Sequence, residues 1–283
     1  MATSHHAHTG HNHSGHQVPG PDDHAMAEML ELDAEVLQDY LAELTGWLGE
    51  LSDGEPRRII DLGAGPGTGA FALARQFPQA EVTAVDVSPL LLHRLSTRAA
   101  ALGLSARVTG LEADLDAGLP PLGDADLVWA ASSLHHMSDP DRVLADAFAA
   151  LRPGGLLAVT EMHFFPRFLP ADIGVGPPGL EERVHTALDT SPFVDWTENL
   201  VRAGFTIEAA RPFEVQLANP GTAAARYAEI CLRRLRSHLD GQVSAEDLAS
   251  LDTLLDVDGP RTLARRSDLD VRTTRTTWAA RRP

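Results

Sequence analysis

The sequence contains no lysine. All 23 of its Lys-plus-Arg cations are arginines, set against 40 carboxylates for a formal charge of −17. That imbalance excludes a protein that grips nucleic acid through non-specific phosphate contacts, because most of its surface repels phosphate. Cysteine is nearly absent too: Cys231 alone permits neither a disulfide framework nor a cysteine-rich zinc site. No apolar run approaches the ~18 residues that cross a bilayer. The first 20 residues lack both the basic start and the apolar stretch of a secretory signal. The expectation is a soluble, cytoplasmic protein, monomer or homodimer, with no nucleic-acid or membrane partner. Its 283 residues, 43% hydrophobic and 22% charged, suffice for one large domain with appendages.

What is present divides unevenly along the chain. Residues 1–24 hold seven of the 13 histidines among Gly, Ser, Thr, Asn and Pro, a composition that buries too little apolar surface to repay ordering. This segment reads as a disordered His-rich tail, in which His5, His6, His8, His11, His13 and His16 could weakly chelate a divalent metal. No metal site is expected in the domain itself. Residues 25–56 place Met26, Leu30, Leu37, Leu41, Leu44 and Leu48 at helical spacing and predict one or two amphipathic helices. Asp22 through Glu55 supply eleven carboxylates, and no Arg precedes Arg57. This acidic face reads as solvated, or as set against the seven arginines of residues 260–283.

From Arg58 the pattern becomes strands alternating with helices. Strands are predicted at 59–62, 81–86, 107–111, 126–130 and 156–160, with helices following the first, second and fourth. Such alternation requires crossover connections and hence a mostly parallel sheet covered on both faces. A Pro-, Gly- and aromatic-rich loop at 164–178 breaks the rhythm. Helices follow near 180–188 and 195–203, a strand at 206–217, two helices within 220–256 and a last strand at 270–280.

The densest motif is Asp61-Leu62-Gly63-Ala64-Gly65-Pro66-Gly67-Thr68-Gly69. Alternate glycines directly after a strand let the backbone turn sharply and approach a ligand, and the next helix points its N-terminus there. Dinucleotide folds use a similar turn. Gly65-x-Gly67-x-x-Ala70 fits their permissive pattern but begins three residues beyond the strand end, and Gly63-x-Gly65 would need a glycine where Thr68 stands. Asp61 sits where a carboxylate can meet a cationic amino-acid headgroup. Asp86 ends the second strand, where a carboxylate grips ribose hydroxyls.

With Ala113-Asp114-Leu115 after the third strand, the segment DLVWAASSLHHMSDP at 126–140 and LRPGG at 151–155, the chain resembles the class I S-adenosylmethionine-dependent methyltransferases, in their small-molecule branch. The resemblance covers residues 57–161, and the final strand pair matches the family's antiparallel hairpin. One departure is a spacing from Asp114 to Leu119-Pro120 that is one residue longer than usual. It implies an α/β, Rossmann-like, doubly wound sheet of seven mostly parallel strands with an antiparallel last strand and helical additions. Residues 57–283 would form the methyltransferase domain, with insertions at 164–192 and 220–258 acting as a substrate lid. It further implies S-adenosyl-L-methionine as cofactor, held by Asp61, Gly63, Ala64, Gly65, Asp86, Val87, Ala113, Asp114, Leu115 and Ser132. A methyl group would pass to a small-molecule acceptor by in-line displacement. Asp126 and the LRPGG turn would build the fold.

Positioning is the main requirement of that chemistry, and a base is needed only where the acceptor must lose a proton. No catalytic residue is assigned; His135, His136 and His163, with Glu161, are candidates at strand ends. Two alternatives are a cofactor-binding relative with non-methyl-transfer chemistry and a metal-handling protein using the tail. Cys231 reads as helix-interface filler. Arg233, Arg234 and Arg236 read as a solvated helix face or, less simply, a salt-bridge surface for the acidic N-terminus. Phe164, Phe165, Phe168, Phe193 and Trp196 read equally as core or as lining of the acceptor pocket.

Overall fold

The structure, a computed structural model, describes residues 20–188, 194–218 and 221–283. The tail histidines His5, His6, His8, His11, His13 and His16, and Phe193, lie outside them. Two helices come first, α1 (Pro21–Val36) and α2 (Gln38–Leu51), separated only by Leu37. α1 thus begins inside the segment assigned to the tail, with Pro21 suited to a first helical turn that needs no N–H. Then come β1 (Arg58–Leu62), α3 (Thr68–Gln76), β2 (Glu81–Asp86), α4 (Pro89–Ala101), β3 (Val108–Glu112) and β4 (Ala125–Ala131). A 3₁₀ turn at Leu134–His136 leads to α5 (Pro140–Ala150) and β5 (Leu151–Met162). The remainder is α6 (Leu180–Ala187), α7 (Thr197–Arg202), β6 (Thr206–Ala218), α8 (Gly221–Arg236), α9 (Ala245–Leu255) and β7 (Asp270–Arg281).

The seven strands form one sheet in the order β3-β2-β1-β4-β5-β7-β6. The first five are mutually parallel, and β7 runs antiparallel between β5 and β6. Strand order reverses between β1 and β4, and in an open α/β sheet the crevice at the carboxyl ends beside that reversal is where ligands bind. Local sequence explains the elements. β1 is central and apolar from Ile59, so both its faces are buried. α5 buries Val143, Leu144, Ala147 and Ala150 at helical spacing, and the Asp139 side chain accepts the Arg142 amide at its start.

Two apolar cores sandwich the sheet. One joins Ile59, Val82 and Trp129 to α2, α3, α4, α8 and α9; the other joins Ile60, Val128 and Val159 to α5, Trp196 and Trp278. β5 starts at Leu151, five residues before the predicted strand, because Leu151 already pairs with Ala125 across a register shift. The Asp126 carboxylate accepts the Arg57 and Arg58 amides and the Arg152 guanidinium at 2.6–2.9 Å, so this corner ties β1, β4 and β5 together.

The acidic N-terminal helices face arginines from across the chain. Asp33 pairs with Arg275 and Asp53 with Arg281, both from the C-terminal stretch, while Glu28 pairs with Arg226 and Glu31 with Arg94. Arg233 and Arg236 turn to Glu229, Asp240 and Asp252 instead, and Arg234 reaches only Met26 Sδ on α1. The cation of α8 that pairs with the acidic helix is therefore Arg226, which the sequence reading passed over. Phe168 and Trp196 are core residues, 1% and 3% exposed. Phe168 meets the Tyr227 ring edge-on, and Trp196 belongs to the second core, so neither lines a pocket. Cys231 is partly buried and its thiol is pushed up by burial, as suits filler and not a nucleophile.

Candidate active site

The turn after β1 is tied to a carbonyl of the neighbouring strand: Gly63 and Ala64 both donate to the Val85 carbonyl, at 2.9 and 3.0 Å. Gly63 (φ +69°) and Gly65 (φ +56°) adopt left-handed backbone that glycine reaches without strain. A Cβ on Gly63 would stand 2.5 Å from Ser133 Cβ, so this position requires glycine on space as well as on dihedral. At Gly65 the nearest atom to such a Cβ is Leu30 Cδ1 of α1, 3.6 Å away. The N-terminal helix therefore closes over the loop, a contact that no local motif announces.

Asp86 holds the loop from the next strand. Its Oδ2 accepts the Gly65 amide and its Oδ1 the Ser88 amide, each at 2.8 Å, while burial pushes its pKa up against those hydrogen bonds. Val87 beside it is 46% exposed. The Ala113 amide donates to the Asp86 carbonyl, Asp114 is exposed and folds back on the Asp116 amide, and Leu115 is buried. These residues line one continuous edge formed by the ends of β1, β2 and β3.

Asp61 lies at the end of β1, 2% exposed, with Oδ2 lacking any hydrogen-bond partner among the described residues. Burial pushes its pKa up to about 7, opposed by the Ala70 amide. Thr68 Oγ1 and Trp129 Nε1 are likewise buried and unpartnered, and a Cβ on Gly69 would touch both Trp129 Nε1 and Asp61 Oδ2. An unpaired buried carboxylate oxygen is costly unless something cationic or donating comes to it. The sequence reading found Asp61 but missed Thr68 and Trp129, which differ from ordinary helix-start and strand residues only through their unsatisfied atoms.

At the end of β4 the backbone is strained. Ser132 has φ +51°, unusual outside glycine, and its amide donates to the Thr160 carbonyl of β5 at 2.8 Å. The turn that follows presents His135, whose Nδ1 lies 2.8 Å from Glu161 Oε2 at the end of β5. The Glu161 side chain is 1% exposed and that of His135 22%. His136 stacks on His135 with ring centroids 4.0 Å apart; desolvation, His135 and Arg234 hold its pKa below the ordinary value. His163 Nε2 is engaged with Thr276 Oγ1 of β7. The structure thus brings His135, His136 and Glu161 together and directs His163 to the adjoining strand.

The glycine cradle, the Asp86 carboxylate and the unpartnered Asp61 oxygen suit a ligand with a cationic amino-acid end and a ribose. The comparisons agree. Residues 60–157 match the methyltransferase domain family. The malonyl-[acyl-carrier protein] O-methyltransferase of Laribacter hongkongensis is 31% identical over 186 residues, 61% of this chain and 58% of that protein. The 27-O-demethylrifamycin SV methyltransferase of Amycolatopsis mediterranei is 28% identical over 183 residues, 65% of this chain and 66% of that one. The matched stretches thus span under two thirds of either relative. Among solved structures, the [4+2]-cyclase SpnF is similar in fold, with a TM-score of 0.52 and 23% identity over 86% of this chain and 81% of its own. Motif, topology and domain match converge on residues 60–157, which are similar to the methyltransferase domain family.

Proposed function

We propose that the protein transfers the methyl group of S-adenosyl-L-methionine to a small-molecule acceptor by in-line displacement. The observation that carries this reading is the unpartnered, buried Asp61 oxygen beside the glycine cradle, at the reversal of strand order between β1 and β4. When bound, the cofactor supplies an electrophilic methyl on a sulfonium. This chain's residues do the rest. Asp61 meets the amino-acid end, Gly63, Ala64 and Gly65 let the backbone approach, and Asp86 takes the ribose hydroxyls while keeping its grip on the loop. Val87, Ala113, Asp114 and Leu115 border the adenine, and Ser132 marks the passage to the acceptor side. Holding donor and acceptor in line is worth roughly 7–11 kcal/mol of the barrier. In this reading the loop 164–178, α6 and α8 cover the acceptor side and exclude water.

Two measurements test the reading. Titration calorimetry with S-adenosylhomocysteine should show one site per chain. Methyl-labelled cofactor, incubated with a panel of phenols, alcohols, carboxylic acids and amines, should yield a labelled product by mass spectrometry. Absence of binding overturns the cofactor assignment; binding without transfer to any panel member overturns the methyl-transfer assignment.

A further inference from the structure

Resting on that reading, we infer that His135 is the catalytic base of the reaction, that Glu161 positions it, and that the acceptor is a hydroxyl compound. Three observations carry this. First, the pair is built by tertiary structure: His135 comes from the turn after β4, Glu161 from the end of β5, and they meet at 2.8 Å although 26 positions apart in sequence. Second, the Glu161 carboxylate is 1% exposed, its Oε1 has no partner, and no arginine pairs with it among the described residues. A buried carboxylate left without a cation favours a positive charge on the ring it touches, as when that ring takes a proton. Third, the ring is open on its other side. His135 is partly exposed, and its Nε2 has no hydrogen bond among the described residues.

With Glu161 ionised, Nδ1 donates its hydrogen to Oε2 and Nε2 is left as the acceptor. An acceptor O–H directed at Nε2 gives up its proton there while an oxygen lone pair forms the bond to the methyl carbon. The electrons of the broken carbon–sulfur bond remain on sulfur, leaving a neutral thioether, and the imidazolium later releases its proton to water through its exposed edge. A neutral amine has no need of this arrangement before attack, since its lone pair is available and its proton can leave afterwards. The His136 ring packs against that of His135, and Arg234 from α8 acts on His136. Arg234 leans on Met26 of α1, so the base lies under the helices that roof the site.

The decisive experiment needs no acceptor. In protein labelled with ¹⁵N-histidine and saturated with S-adenosylhomocysteine at pH 8, His135, identified by the signals missing from His135→Gln, should show a single tautomer protonated at Nδ1. Glu161→Gln should lose that preference. A His135 protonated at Nε2 overturns the inference, because that nitrogen could not receive a proton. In turnover with phenols of graded acidity, His135→Gln should be about 10²–10⁴-fold slower on weakly acidic phenols. It should be far less impaired on a nitrophenol that ionises unaided, with S-adenosylhomocysteine affinity unchanged. Glu161→Asp should recover part of what Glu161→Ala loses. Equal slowing across the phenol series, or a wild-type enzyme that methylates only amines, overturns it as well. Failure to bind S-adenosylhomocysteine would strike the proposed function instead.

Discussion

The two halves of the site's carboxyl edge are constructed differently. On the cofactor side, β1, β2 and β3 deliver Asp61 to Leu115 within 55 residues of chain, and the contacts that shape the turn are short-range strand–loop hydrogen bonds such as Gly65 to Asp86. On the proposed acceptor side the pieces come from far apart: Asp33 meets Arg275 across 242 positions and Tyr227 across 194. One half is a motif, the other an assembly of side chains. A motif constrains backbone and tolerates little, whereas an assembly spreads its tolerance over many pairs.

The sharpest test of that contrast is Gly63→Val. It combines a left-handed backbone with a Cβ inside the van der Waals radius of Ser133, and should cost roughly 2–5 kcal/mol of folding stability and abolish cofactor binding. A denaturation midpoint within error of wild type would show that the loop is not constrained. Next in size, Arg275→Met leaves the Asp33 carboxylate, 16% exposed, with the Tyr227 hydroxyl but without its cation, and should cost about 2–4 kcal/mol. The double variant Arg275→Met with Asp33→Asn should recover much of it in urea denaturation, because replacing both partners leaves no charge unpaired. If the double variant is the weaker, the pair contributes more than it costs to bury.

Asp86→Ala should weaken S-adenosylhomocysteine about tenfold to a hundredfold by calorimetry, corresponding to roughly 1.5–3 kcal/mol of charge-assisted hydrogen bonding. Part of that loss belongs to the Gly65 amide, so a loop glycine variant should be non-additive with it.

Protonation gives a finer separation. Asp61 and Glu181, both pushed up to about 7 by burial, hold their protons more firmly folded than unfolded. Their stabilisation is full below about pH 4 and is lost as pH rises through 7. His185, pushed down to about 4 by burial and Arg167, works in the opposite sense: its contribution is present above about pH 6.5 and is lost as pH falls toward 4. In ligand-free protein, Asp61→Asn should therefore gain stability relative to wild type between pH 5 and 8, by an amount on the order of 2 kcal/mol. In parallel, wild-type affinity for S-adenosylhomocysteine should rise through pH 7 as Asp61 ionises to meet the amino group, and that of Asp61→Asn should stay level. The smallest effect is expected from removing residues 1–19, which have no periodic apolar positions: thermal midpoint and cofactor affinity unchanged, retention on nickel lost.

The same contrast accounts for what the sequence disclosed. β1, β2 and β4 were legible because buried parallel strands are short apolar runs ending in turn residues, and the loop because alternate glycines carry a dihedral requirement in their spacing. The edges of β5 and α1 were not, since Arg152-Pro153-Gly154-Gly155 reads as a turn and is held in the sheet only by its partner strand. His135 and Glu161 were each visible at a strand end, but their pairing was not, because it depends on how the turn after the strained Ser132 is folded. The aromatics of the insertion stayed open between core and pocket lining for the complementary reason. Composition shows that Phe168 and Trp196 are large and apolar, and only packing shows that their neighbours already fill the space around them.

Leu37, the single residue between α1 and α2, sets the phase of everything α1 does. The Leu37 amide still donates to the Asp33 carbonyl and its own carbonyl receives the Leu41 amide, so the two helices turn almost as one screw. α2 is seated on the sheet through Leu44 and Leu48, and the rotational setting of α1 follows from it. One alanine inserted after Leu37 would rotate α1 by about 100° and advance it about 1.5 Å. Leu30 would then swing off Gly65 and Asp33 off Arg275 together, while three or four inserted residues would bring both back near their original bearing. The glycine loop after β1 and the Asp33–Arg275 pair are geared through the pitch of one helix.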